Sequence, residues 1–190
     1  MTRREMKVTS AMSDARFEDA DERPLRLLAR DGDDLRVVSA LVQDAVLTGA
    51  DLGHQRHARR FSLLINRFRW ESRGSAPAAG RPAERVRSLL VFNDVLRVRQ
   101  QGLEARDPDT VLSLLAIDFT PQDAQADPAA DPAADLDPTA TPGRVTLVFA
   151  GDGAVALDVD CIEVQLNDVT RPYDAPSRLV PEHPLGPQTD

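Results

Sequence analysis

Cysteine, lysine and aromatic side chains are nearly absent from this chain. The single cysteine, Cys161, excludes an intramolecular disulfide and any cysteine-based zinc site. With aromatics at 4% and only one Trp and one Tyr, aliphatic side chains must fill the core. No run approaches the roughly 18 consecutive apolar residues that a membrane-spanning helix needs. A glycine-rich phosphate loop, a dinucleotide fingerprint, a nucleophile elbow and a Ser/His/Asp ordering are all missing, so no cofactor and no catalytic set is assigned.

What is present is ordinary for one globular domain with appendages: 190 residues, 42% hydrophobic and 28% charged. The net charge of −8 argues against general binding of nucleic acid or anionic membranes. That total hides segregation. From Arg56 to Arg106 there are twelve Arg against four acids, Glu71, Glu84, Asp94 and Glu104. Lys7 is the only lysine beside 22 Arg, a ratio that fits G+C-rich coding more readily than selection for guanidinium chemistry.

Residues 1–24 are polar, without the apolar run of roughly 7–15 residues that marks a secretory signal, so a disordered lead-in and a cytoplasmic protein are expected. A single domain is expected over 25–170, with flexible inserts at 72–82 and 121–143. The second insert repeats Asp-Pro-Ala-Ala and contains no Lys or Arg. Its prolines remove donors and disfavour helix in the residues before them. The proline-rich tail, 171–190, is expected to be irregular.

Within the domain, Leu25 to Ala29 reads as a short strand. Asp31, Asp33 and Asp34 offer caps for a helix whose stripe is Leu35, Val38, Leu41, Val42 and Ala45, ended by Gly49. Phe61, Leu63 and Ile65 alternate as in a strand, but Phe68 and Trp70 take the opposite parity, which predicts a bulge or bend near Asn66. Val86 to Phe92 and Val95 to Gln100 are two strands, or one long bent one. The stretch from Val111 to Phe119 reads as buried on both faces. Val145 to Phe149 and Val155 to Val159 flank Gly151-Asp152-Gly153 as a β-hairpin. Ile162, Leu166 and Val169 then lie at helical spacing behind an acidic capping pattern. The expected fold is α+β: a mainly antiparallel, strongly bent sheet or partial barrel, with an N-terminal helix and a short C-terminal helix. About seven strands closed by a helix is the element order of the pleckstrin-homology-like barrel, an analogy of order alone.

Four strings carry a resemblance: Gln43-Asp44-Ala45-Val46, Asn66-Arg67-Phe68-Arg69-Trp70-Glu71, Leu112-Ser113-Leu114-Leu115, and the stretch from Phe149 to Cys161-Ile162-Glu163. Together they resemble a family of small bacterial proteins known as domain-of-unknown-function family 2948. The resemblance runs from about Leu25 to Asp168, and the Asn66-to-Glu71 string is its most specific part. It implies no catalytic residue, and the Asp-Pro insert, His54 and His57 do not look like shared features.

Among candidate sites, Asp51, His54 and His57 are the only conceivable metal ligands. Their spacing does not match the zinc-protease helix, and no metal is assigned. Arg67 and Arg69 would lie side by side on one strand face, a clamp for carboxylate or phosphate, with Asn66 and Glu71 around Trp70. The structural reading of the same string has Trp70 anchoring the core and Glu71 pairing with an Arg. Arg85 and Arg87, then Arg97 and Arg99, repeat the spacing, and six guanidiniums on one face would form an anion or partner site. Asp44 would sit near the C-terminal end of the helix and pair with an Arg, and Cys161 reads as a small buried hydrophobe.

The leading expectation is a non-catalytic binding module whose Arg-bearing sheet contacts an acidic partner or a small anion. The alternatives are an enzyme of unknown reaction using Asp44, Asp51, His54 and Glu71, and a structural homodimer. RNA ranks low because few aromatics are available for stacking.

Overall fold

The computed structural model describes residues 24–71, 84–103, 109–122 and 141–174. The lead-in up to residue 23, the insert at 72–82, most of the insert at 121–143 and the tail beyond 174 lie outside the described residues. Among the described residues, one α-helix accompanies eleven antiparallel strands in a single hydrogen-bonded sheet. In chain order these are β1 (Arg26–Ala29), α1 (Gly32–Val42), β2 (Ala45–Thr48), β3 (Leu52–Gln55), β4 (Arg60–Phe68), β5 (Glu84–Phe92) and β6 (Val95–Gln101). There follow β7 (Val111–Pro121), β8 (Gly143–Phe149), β9 (Ala154–Val159), β10 (Val164–Asp168) and β11 (Tyr173–Asp174).

The strand order is β1-β10-β5-β4-β2-β7-β8-β9-β6, with β3 added to β4 and β11 to β5, and the path does not close. Only Asn93 and Asp94 join β5 to β6, yet six inter-strand steps separate the two. Laid flat, that separation would be about 29 Å, while the connection spans at most about 11 Å. The sheet must therefore curl, bringing its β6 end back beside the end of β5. Asp94 makes the elbow with φ of 54°. Three backbone hydrogen bonds hold it: Asn93 N to Glu163 O, Val95 N to Arg59 O, and Asp160 N to Asp94 O.

The core lies inside this curl. Phe61, Phe92 and Phe149 pack there with Leu63, Ile65, Leu90, Leu114, Leu147, Leu157 and Leu166. Helix α1 packs against β1, β4 and β7 through Leu35, Val38 and Val42. Burying each of these contributes about 1.5–3 kcal/mol. Asp31 caps the helix by accepting from Asp34 N. The helix stops at Val42, well before Gly49: Asp44 takes φ of 58°, and Ala45 to Thr48 fill the slot between β4 and β7 as β2.

Three other expectations need correction. The C-terminal helix is strand β10, because Ile162, Val164 and Leu166 also alternate with period two, and β1 and β5 offer hydrogen-bonding edges on either side. The analogy with a pleckstrin-homology-like barrel loses the helix it relied on. Strand β7 is buried on one face only: Leu112, Leu114 and Ile117 point inward, and Val111 is 68% exposed. A register shift between Leu114 and Ala116 changes the parity midway. Of the bulge or bend expected near Asn66, no bulge interrupts the β4–β5 ladder, which pairs in unbroken register from Phe61 to Phe68. The glycine hairpin joins β8 to β9 as expected, with positive φ at Gly151 and Asp152.

Candidate functional site

Unbroken register in β4 has a chemical consequence. Phe61, Leu63 and Ile65 face the core, so Arg67 must face it too, and its side chain is fully buried. A buried guanidinium is tolerable only when its donors are met and its charge is paired. Nε donates to Ser88 Oγ at 3.1 Å and Asp168 Oδ1 at 3.2 Å. Nη1 reaches Phe68 O at 3.2 Å and Glu71 Oε2 at 2.9 Å. Nη2 reaches Glu71 Oε1 at 2.8 Å and both Asp168 oxygens at 3.0 Å.

Asp168, whose side chain is 4% exposed, is fixed independently. Ser88 Oγ donates to its Oδ1 at 2.6 Å and Leu25 N to its Oδ2 at 3.0 Å. Burial alone would lower the Arg67 pKa, but hydrogen bonds and charge from Glu71 and Asp168 outweigh it and hold the group above its ordinary range. The network ties β4, β5, β10 and the segment leading into β1. Every guanidinium nitrogen is engaged, so Arg67 is a strut and not an exposed clamp.

The parity change that suggested a bulge arises on the outer side. Phe68 faces outward but is covered by the Arg85 guanidinium, 3.8 Å from its ring centroid, and by Trp70 at 5.4 Å. Trp70 Nε1 donates to Gln43 O at 3.3 Å and Arg85 Nη1 to Asn66 O at 3.0 Å. Burial pushes the Arg85 pKa down, against the raising influence of Tyr173 and Asp44. Asn66 Oδ1 is buried without a donor among the described residues. Arg69 pairs with Glu84 at 2.6 Å and lies 3.9 Å from Glu71. The Asn66-to-Glu71 string is therefore a two-sided rivet, with Glu71 on the inner arginine and Trp70 on the outer layer.

The other candidates do not converge. Asp51 accepts from Thr48 N and Oγ1 and lies 3.7 Å from Arg87. His54 sits exposed on β3, edge-on to Phe61, and His57 in the turn that follows. Among the described residues no group of three or more His, Cys, Asp or Glu is placed to hold a metal ion. The acids Asp44, Asp51 and Glu71 thus serve separate local structures. No helix of the described residues is long and apolar enough to cross a membrane.

Nor do the six arginines share one face. Arg67 points inward, Arg85 and Arg87 lie on the outer side of β5, and Arg97 and Arg99 lie on β6 at the end of the path. There the structure supplies what the sequence pattern did not single out. Asp158 of β9 stands opposite both Arg97 of β6 and Arg144 of β8. Arg99 Nη2 lies 2.7 Å and Arg144 Nε 2.9 Å from its two oxygens. Two guanidiniums share one carboxylate, and Arg97, its cross-strand neighbour on β6, has no ion pair among the described residues. Asp158 had one visible signal, an acid at an outward position of an otherwise apolar alternation.

No curated protein and no solved structure matches this chain. One protein family does, over residues 25–183, which takes in every described strand from β1 to β11 together with the buried arginine network. Its description is "Protein of unknown function (DUF2948)", and the chain belongs to that family.

Proposed function

We propose that this chain is a non-catalytic binding module that engages an acidic partner through the outer face of β6, β9 and β8. The observation that carries the reading is an excess of positive charge on one face: Arg99 and Arg144 share the single carboxylate of Asp158, and Arg97 stands opposite it in register without an ion pair among the described residues. Arg99 and Arg144 are 45% and 41% exposed at the side chain, so their pairing with Asp158 is solvent-screened. Exposed pairs of this kind contribute about 0–1 kcal/mol. A guanidinium can therefore exchange Asp158 for a partner's carboxylate at little cost. The buried Arg67 cannot, because leaving its network would strand Asp168.

The test is binding of a fluorescent polyglutamate peptide, followed by anisotropy at rising salt. Affinity should fall steeply with ionic strength. It should be lost in Arg97→Glu/Arg144→Glu and retained in Arg36→Gln, a change on α1. Equal binding by all three proteins would refute the assignment to this face.

A further inference from the structure

Strand β6 ends the hydrogen-bonded path. β9 flanks it on one side, and among the described residues no strand flanks it on the other. A free edge presents a row of backbone donors and acceptors, a template for one more strand. Beyond the irregularity between Val95 and Arg97, residues 97–101 pair with β9 in unbroken register, so their free side offers a regular row. This edge contains neither proline nor acid. Arg97 and Arg99, at alternate positions, project to the same side of the sheet, where Arg144 and Asp158 also lie.

The geometry points to β6 as a docking edge for an extended acidic segment of a partner protein, added to the sheet as a further strand. This inference rests on the basic-face reading above and specifies its mode. Backbone hydrogen bonds along β6 supply affinity, while acidic side chains at every second position of the partner meet Arg97 and Arg99. A second copy of this chain is a poor occupant, because pairing β6 with itself sets arginines beside arginines, and like charges across strands are destabilising. The partner segment therefore carries Asp or Glu at alternate positions, with β-branched or small residues between them.

The experiment compares three short, end-blocked peptides of equal charge: alternating glutamate and threonine, the same peptide N-methylated at every residue, and alternating glutamate and proline. The first should bind in low salt and slow hydrogen exchange of the β6 amides. Full N-methylation leaves the second peptide no backbone N–H donor, and alternate proline leaves the third none along one edge and no regular strand, so each should bind about tenfold more weakly or worse. Arg97→Glu/Arg99→Glu, whose fold is checked by circular dichroism, should bind none of them. Equal binding of all three peptides, without protection of β6, would overturn strand addition and leave the basic-face reading standing. If neither these peptides nor polyglutamate bind, both fall.

Discussion

Replacing Arg67 by methionine, which keeps the stem and deletes the charge, should unfold much of the stability margin of this protein. The side chain is fully buried, and Asp168, only 4% exposed, would remain as a carboxylate without its cation. Breaking a buried pair in this way costs about 3–5 kcal/mol. A domain of this size commonly has about 5–15 kcal/mol in total, so the midpoint of thermal unfolding should fall by about 10–20 °C. Glu71 is 30% exposed and can turn to water, so Glu71→Gln should cost less, about 1–2 kcal/mol. The diagnostic variant is Arg67→Met/Asp168→Asn. Asparagine can still accept from Leu25 N but carries no charge, so the double variant should recover about 2 kcal/mol over Arg67→Met alone. Urea titrations followed by the fluorescence of Trp70, the only tryptophan, measure the parent, these three variants and Asp168→Asn alone. If Arg67→Met costs under about 1 kcal/mol, or if Asp168→Asn adds its full cost to it, Arg67 and Asp168 are not a coupled buried pair.

Gly102 has φ of 64°, and a Cβ placed there would lie 2.6 Å from the Asp152 carbonyl, so Gly102→Ala should destabilise by about 1–3 kcal/mol in the same titration. The Cys161 thiol is pushed above the ordinary thiol range by partial burial and then by the Asp94 carboxylate. It should alkylate slowly until the pH exceeds that range, and Asp94→Asn should bring the rate profile back down. The linked stability is present below the ordinary thiol pKa and lost as the pH rises through the raised one. Because His54 and His57 join no metal-holding cluster among the described residues, His54→Ala/His57→Ala should melt within about 0.5 kcal/mol of the parent, with or without chelator.

Alternation made much of the sheet legible. Phe61, Leu63 and Ile65, and the glycine hairpin between β8 and β9, follow from period two and turn chemistry alone. Arg67 and Asp168 are not legible in the sequence, because each takes its place from residues far along the chain. Arg67 continues the inward parity of β4, but a charge at a core position mimics a flip unless its hydrogen-bond partners, Ser88 and Asp168, are known. Asp168 itself was hidden because Ile162, Leu166 and Val169 fit a helix as well as Ile162, Val164 and Leu166 fit a strand. Only the edges offered by β1 and β5 decide between them. The Arg144–Asp158–Arg99 grouping joins residues from three strands, so its convergence is a property of register.

Pro121 pairs with Gly143, and Gln122 N donates to Pro142 O at 2.9 Å, so the chain leaves the sheet and re-enters it at the mouth of a single hairpin. Whatever length lies between, β7 and β8 meet in the same register, and doubling that length adds only about 0.6 kcal/mol of closure entropy. This mouth is accordingly the place to splice a fluorescent protein or an affinity handle into the chain. The same cargo at the Asn93-Asp94 elbow would force apart β5 and β6, whose two-residue link holds the curl of the sheet.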